Sequence, residues 1–269
     1  MHPCTVNGMA IGGGAPVRLM GVINCSPESF FPGSYVPRSD VLERALSMTG
    51  AGADLVDVGA RSTAPGSRPI SVQEEIERIT AALVCMDGSG VTVSVDTMHP
   101  AVLEACLRHD IHAINDIGGL SNPEYAAIAA DAGLPVIAMA AQRIPGDPRG
   151  TAATLAALCE VAGRADAAGI EDLILDPGVG RWTPERTFED DWDLCRNFRR
   201  FREPGFPVLL AISRKSFIGD LLGRSSEERL AGTLALTARL LPSADMVRAH
   251  DVAETHDALF VVRKLEDGS

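Results

Sequence analysis

Eight short β-prone runs, each followed by a helical stretch, constrain this chain more than any other feature. The runs fall at 18–24, 54–59, 91–96, 112–116, 135–139, 172–176, 207–213 and 245–248. Continuous apolar runs of this length predict strands buried on both faces, as in a parallel sheet. Caps mark the helices between them. Ser71-Val72-Gln73-Glu74 is a capping-box pattern, and Ser225 with Glu228 repeats it. His99-Pro100 and Asn122-Pro123 place proline in a first helical turn. The longest helices are expected at 151–168, 184–201 and 227–241. Eight such units in 269 residues predict an α/β, single-domain (β/α)8 TIM barrel over residues 18–269. A doubly wound open sheet is the alternative. Residues 1–17 carry Gly12-Gly13-Gly14 and are expected to form a tail or hairpin. No strand precedes that glycine run and no helix follows it, so it is not a nucleotide loop.

Charge narrows the partners. The formal net charge is −12, which argues against nucleic acid, since phosphate backbones need a basic surface. An anionic substrate must therefore meet a local basic cluster. No apolar run reaches membrane-spanning length, so no membrane partner is expected. The six cysteines form no CxxC pair and carry no zinc-ligand spacing, which reads as reduced thiols in a cytoplasmic protein.

In a barrel the C-terminal strand ends converge on one mouth, where the chemistry sits. The end groups are Asn24, Gly59 through Gly66, Asp96, Asn115-Asp116, Met139, Asp176, Arg214-Lys215, and Arg248 with His250. Any one of them is explained as a helix cap or a solvated loop charge; six or more converging on one mouth are not. Asp96, Asn115 and Asp176 offer two carboxylates and an amide, which suits a flat heterocycle with a row of N–H donors. Lys215, Arg248 and His250 follow the seventh and eighth strands, where barrels frequently bind phosphate. Arg248 can hold a phosphate bidentately and His250 can add a donor. Asn24 is a candidate ligand to phosphate or to its Mg²⁺. A heteroaromatic substrate with a phosphorylated tail follows.

MGVINCSPESF (20–30), DVGARSTAPGS (57–67), SVDT (94–97), NDIGG (115–119), LDPGVG (175–180), SRKSFIG (213–219) and RAHDV (248–252) together resemble dihydropteroate synthase. The motifs stand in that family's order. The resemblance implies a barrel enzyme that joins 6-hydroxymethyl-7,8-dihydropterin diphosphate to p-aminobenzoate or a related arylamine in folate synthesis, releasing pyrophosphate. It implies pterin contacts from Asp96, Asn115, Asp176 and Lys215, diphosphate contacts from Arg248 and His250, and Mg²⁺ near Asn24. Thr63 and Ser216 match positions near the arylamine, and Met139 is a further candidate substrate contact. Lys215, Asp176 and Arg248 are the expected catalytic groups: cations draw off the diphosphate while Asp176 stabilises charge on the pterin. Helical faces of barrels often pair, so a homodimer is one expectation.

Three stretches depart from the family pattern. Arg61 and Ala64 replace an acid and an arginine, Ala138-Met139-Ala140-Ala141 lacks a histidine, and Arg181-Trp182-Thr183 replaces an aromatic followed by lysine. Arg61 and Arg181 are either new anion contacts or exposed charges. The INCSPESFFPGS wording also resembles the methanopterin-associated branch of the family. Two rival functions share the barrel: a pterin-dependent methyltransferase and a non-catalytic pterin-binding protein.

Overall fold

The computed structural model describes residues 2–27, 35–62 and 68–266. A hairpin opens the chain, β1 (Cys4–Val6) against β2 (Met9–Ile11). Eight parallel strands follow: β3 (Arg18–Asn24), β4 (Leu55–Gly59), β5 (Val93–Asp96), β6 (Ala113–Asp116), β7 (Val136–Met139), β8 (Leu173–Asp176), β9 (Leu209–Leu210) and β10 (Met246–Ala249). Their order in the sheet is β8-β7-β6-β5-β4-β3-β10-β9. The seam between β8 and β9 closes through the parallel bridge Leu175↔Val208, with Leu175 N donating to Pro207 O at 2.9 Å. The chain is thus a (β/α)8 barrel.

Helices α1 (Val41–Gly50), α2 (Val72–Met86), α3 (Pro100–Cys106), α4 (Pro123–Ala132), α5 (Gly150–Ala168), α6 (Phe188–Arg196), α7 (Ser216–Leu222), α8 (Leu230–Leu240) and α9 (Val252–Glu266) follow the strands. Ser71 caps α2 by accepting from Glu74 N, and Asn122 caps α4. The stretch expected as one helix over 184–201 is shorter. A Thr187–Asp190 capping box starts α6 four residues late. Beyond α6 the chain tightens into a 3-10 turn at Phe198–Arg202. Ser225 and Glu228 do form a capping box, but on a 3-10 turn that precedes α8.

Strand parity sorts the interior. Val56, Val58, Val93 and Val95 face outward into the main core beneath the helices. The opposite parity points into the barrel. At its N-terminal end Met20, Leu55, Ala113, Ile137, Ile174, Leu209 and Met246 form one apolar layer with Cys4, Val6 and Ile11 of the hairpin. The hairpin is therefore a stopper, tied down by Thr5 N on Asp172 Oδ1 and by Asn7 Nδ2 on Thr92 Oγ1. Two residues further along, the same parity falls on Asp57, Asn115, Asp176 and Arg248. The barrel changes from apolar to charged within one side-chain layer.

The seventh barrel strand differs most from its sequence. Of the apolar run 207–213 only Leu209–Leu210 keep ladder pairing. The chain then turns at Arg214, which adopts a left-handed φ of +54°. Its N–H donates to Thr233 Oγ1 of α8 at 3.0 Å.

Ile11 is fully buried in the stopper. Ile11→Ala is expected to lower unfolding free energy by about 2–5 kcal/mol, read as a fall in the denaturant midpoint at unchanged slope. A loss below about 1 kcal/mol would show that the hairpin does not belong to the cooperative core.

Candidate active site

A cavity of about 250 Å³ opens at the C-terminal ends of the barrel strands. Ladder register brings its wall together: Asn24 pairs with Gly59, Gly59 with Asp96, Asp96 with Asn115, and Met139 with Asp176. Asn24, Arg61, Asp96, Asn115, Asp176, Lys215, Ser216, Arg248 and His250 all line it.

One charged cluster forms its floor. Arg248 Nη2 lies 2.7 Å from Asp57 Oδ2 and 2.8 Å from Asp96 Oδ2. Asn115 Nδ2 donates to the same Asp57 oxygen at 2.9 Å. Because a carboxylate only accepts, this contact fixes the Asn115 amide and leaves its Oδ1 as the acceptor for the cavity. Asp176 Oδ1 takes Gly178 N at 2.8 Å, which orients that carboxylate. Asp96, Asn115 and Asp176 therefore present acceptors toward the cavity. Such a wall complements a ligand edge made of N–H donors.

Burial shifts the titrations. Asp96 is pushed up to about 7 by burial, with Arg248 pulling the other way and Asp57 adding to the rise. Burial also raises Asp176, against the Gly178 N–H and Lys215. Burial lowers Arg248, but Asp57 and Asp96 outweigh it and hold that guanidinium above its ordinary value. Lys215 falls to about 8, chiefly through burial, with Asp176 opposing. His250 falls to about 3 through burial and the nearby cations Arg248 and Lys215. It is therefore a neutral ring at ordinary pH. Its Nδ1 lies 3.0 Å from Ser213 Oγ.

The paired cations Arg214 and Lys215 separate. Arg214 turns out of the cavity and grips Asp251 through Nε at 2.8 Å and Nη2 at 2.7 Å, with Nη1 on the Ser226 and Glu227 carbonyls. Lys215 turns in, with Nζ 5.0 Å from the Trp182 ring centre. Trp182 Nε1 donates to Gly178 O at 2.9 Å. Gly180 passes so close that a Cβ there would sit 3.1 Å from Lys215 Nζ. The Gly180 N–H is held by Asp191 Oδ1 at 2.8 Å, and fully buried Arg186 donates to the same oxygen at 3.1 Å.

Not every expected residue reaches the cavity. Met139 has the inward parity but is fully buried under Gly178, whose missing Cβ would lie 2.9 Å from its Cγ. The 176–178 turn covers it, so it supports the wall rather than lining it. Thr63 and Ala64 lie outside the described residues. Asn24 lines the cavity while its Oδ1 accepts from Ser26 N at 3.0 Å. Arg248 is in place, with Nη2 held by two carboxylates and its buried Nε without a partner among the described residues. Ala140 and Ala141 are buried. Arg61 and Arg181 both line the cavity: Arg61 is bound to Glu75, and Arg181 lies exposed at the rim with its guanidinium 5.7 Å from the Phe188 ring centre. Asp57, Trp182 and the Arg186–Asp191 pair join the site without having been expected. For Asp57 a signal existed: an acid in the middle of the apolar run Leu55-Val56-Asp57-Val58.

A family model described as pterin binding enzyme matches residues 20–250. The dihydropteroate synthase of Escherichia coli K12 is 35% identical over 257 residues, covering 91% of this chain and 90% of that protein. The Mycobacterium leprae dihydropteroate synthase is 34% identical, covering 92% of this chain and 93% of that protein. Among solved structures, a Xanthomonas albilineans dihydropteroate synthase with 4-aminobenzoic acid superposes with a TM-score of 0.86 at 32% identity, covering 98% of both chains. A Coxiella burnetii dihydropteroate synthase in complex with pteroic acid gives 0.86 at 27% identity, covering 100% of both.

His250 links the cavity to acid stability. Its folded value near 3 lies below the ordinary 6.5, so the unfolded chain takes up the proton first as pH falls. Stability from its neutral burial is complete above about 6.5 and drains away toward 3, at up to about 1.4 kcal/mol per pH unit. Relative to His250→Gln, the native protein should lose stability across that window in denaturant titrations. Parallel pH profiles would show that His250 is solvated.

Proposed function

The chain belongs to the pterin-binding enzyme family, and from that premise we propose how its cavity carries out the transfer. It is a transferase of the dihydropteroate synthase type: it condenses 6-hydroxymethyl-7,8-dihydropterin diphosphate with p-aminobenzoate or a related arylamine and releases pyrophosphate, a step of folate biosynthesis. The observation that carries the assignment of roles is the acceptor wall of Asp96, Asn115 and Asp176 facing the enclosed ammonium of Lys215. A pterin ring presents an N–H row to the first and a ring acceptor to the second.

Chemistry follows from where charge moves. The C–O bond to the diphosphate breaks, and its electron pair leaves with pyrophosphate. Positive charge is left on the methylene and spreads into the pterin, where the Asp176 carboxylate stabilises it. The neutral arylamine nitrogen then forms the new C–N bond and loses a proton. We assign Arg248 and His250 to the departing diphosphate and Ser216 to the arylamine side, and Lys215 supplies positive charge in a poorly solvated setting.

Magnesium fits as a companion of the diphosphate. Among the described residues no group of three His, Cys, Asp or Glu side chains is arranged to hold a metal. Mg²⁺ commonly keeps its waters and binds through substrate phosphates with few protein ligands. Asn24 Oδ1 is the protein oxygen we assign to it; when bound, the ion would neutralise charge on the leaving group.

No helix among the described residues is long and apolar enough to cross a membrane. All six cysteines are unpaired, which supports a reducing, cytoplasmic setting. Exposed Leu221 and Leu222 on α7, and Phe260 and Val261 on α9, support pairing of two copies through the outer helices, checked by sedimentation equilibrium.

Pyrophosphate release from 6-hydroxymethyl-7,8-dihydropterin diphosphate, measured with and without p-aminobenzoate, tests the reading. Release that depends on p-aminobenzoate and yields dihydropteroate is expected; binding without such release would require another acceptor. Lys215→Ala should slow turnover on the order of a hundredfold or more. Near-normal activity in that variant rejects the role given to Lys215. Chelation with EDTA should stop release, and added Mg²⁺ should restore it.

A further inference from the structure

Arg61 stands at the end of the second barrel strand, in the cavity wall, with its side chain 19% exposed. Its Nε is held by Glu75 Oε2 at 2.5 Å. Glu75 belongs to α2 and is 1% exposed. Its Oε1 accepts from Thr97 Oγ1 at 2.8 Å, and His99 Nδ1 lies 3.1 Å from Oε2. Burial pushes the Glu75 carboxyl up, but His99, Arg61 and Thr97 together hold it below its ordinary value. An ionised carboxylate fixed at this depth is an anchor, not a solvated partner.

A guanidinium has five donors in a rigid fork. The anchor occupies one, at Nε. The Nη groups have no partner among the described residues. The other cations near the cavity are differently disposed. Arg248 Nη2 sits between two carboxylates, Lys215 lies over Trp182, and Arg214 faces away onto Asp251. Arg181 is a rim charge above Phe188. Arg61 thus combines a buried anchor with Nη donors that are free among the described residues; Arg248, whose buried Nε also lacks a partner there, has its Nη2 drawn onto Asp57 and Asp96.

We propose that Arg61 is a specificity-determining residue whose Nη edge seats an oxyanion of the substrates. The chemistry is that of a paired oxygen acceptor, supplied either by the carboxylate of the arylamine or by the diphosphate tail. The seat rests on the synthase-type reading of the cavity. Glu75 is the positioning residue: it holds the fork in one orientation and removes the entropy of a free arginine.

Arg61→Gln and Arg61→Lys are compared with the native protein in three measurements. They are kcat and KM for p-aminobenzoate, the same constants for p-toluidine, which lacks the acid, and inhibition by pyrophosphate. If the seat takes the arylamine carboxylate, the preference for p-aminobenzoate over p-toluidine falls about ten- to hundredfold in Arg61→Gln, mostly through KM, with partial recovery in Arg61→Lys. If it takes the diphosphate, the preference is retained while pyrophosphate inhibition and the KM for the pterin diphosphate weaken by a similar factor. Unchanged preference together with unchanged pyrophosphate inhibition overturns the seat. Where Arg61→Gln does not fold, Arg61→Lys, which retains a charge for Glu75, decides by the same criteria. A native protein that turns over no arylamine overturns the synthase reading and the seat with it; a native protein that does, with variants unmoved, overturns the seat alone.

Discussion

The Arg248 guanidinium between Asp57 and Asp96 is the interaction on which the site depends. Two carboxylates face inward on neighbouring strands, in a barrel whose next layer down is largely apolar. Without a cation there, two carboxylates would be buried side by side with no compensating charge, which is costly. Removing one partner of such a buried pair typically costs about 3–5 kcal/mol, because the other is left uncompensated. The cluster also sets orientation. Asp57 takes the Asn115 amide N–H, so the Asn115 carbonyl is what remains for a ligand. A residue that touches no substrate thus decides whether a wall residue accepts or donates.

The second constraint is the turn at Arg214. Its left-handed φ is unfavourable for a residue with a Cβ, and the strain is offset by four side-chain contacts to Asp251 and two carbonyls. The turn ends β9 after two residues and sends adjacent cations in opposite directions. Arg214 becomes a bolt between the seventh and eighth units. Lys215 is delivered into the cavity beside the thinly closed seam, where one bridge joins β8 to the stretch before β9. In the loop that starts at Asp176, the close approaches at Gly178 and Gly180 leave room for Met139 and Lys215, and Trp182 packs over Lys215.

Much of this was legible in the sequence. The eight apolar runs, the proline-led helix starts and the polar strand ends each have a short-range cause, and they placed Asp96, Asn115, Asp176, Lys215, Arg248 and His250 at one mouth. What escaped has long-range causes. Asp57 lies two residues short of its strand end, so attention to ends alone passes over it, although an acid flanked by valines on an inward parity is a signal. Met139 shares the parity of Asp176, yet it is roofed by a turn whose path depends on tertiary packing. Nothing local distinguishes Arg214 from Lys215; the distinction is made by Asp251, 37 residues away. The Arg186–Asp191 pair lies in a stretch with helical composition, and only the Thr187 cap shows that the helix starts later.

Burial works against the charged forms of Asp96 and Lys215 in the unliganded cavity. It raises Asp96 to about 7 and lowers Lys215 to about 8. A substrate that brings N–H donors to the acid and phosphate oxygens to the amine acts on both in the favourable direction. Donors pull the acid down and anions pull the amine up. Binding therefore favours the ionised form of Asp96 and the protonated form of Lys215. The same desolvation that makes the empty cavity costly is what lets the filled cavity hold opposite charges with little screening.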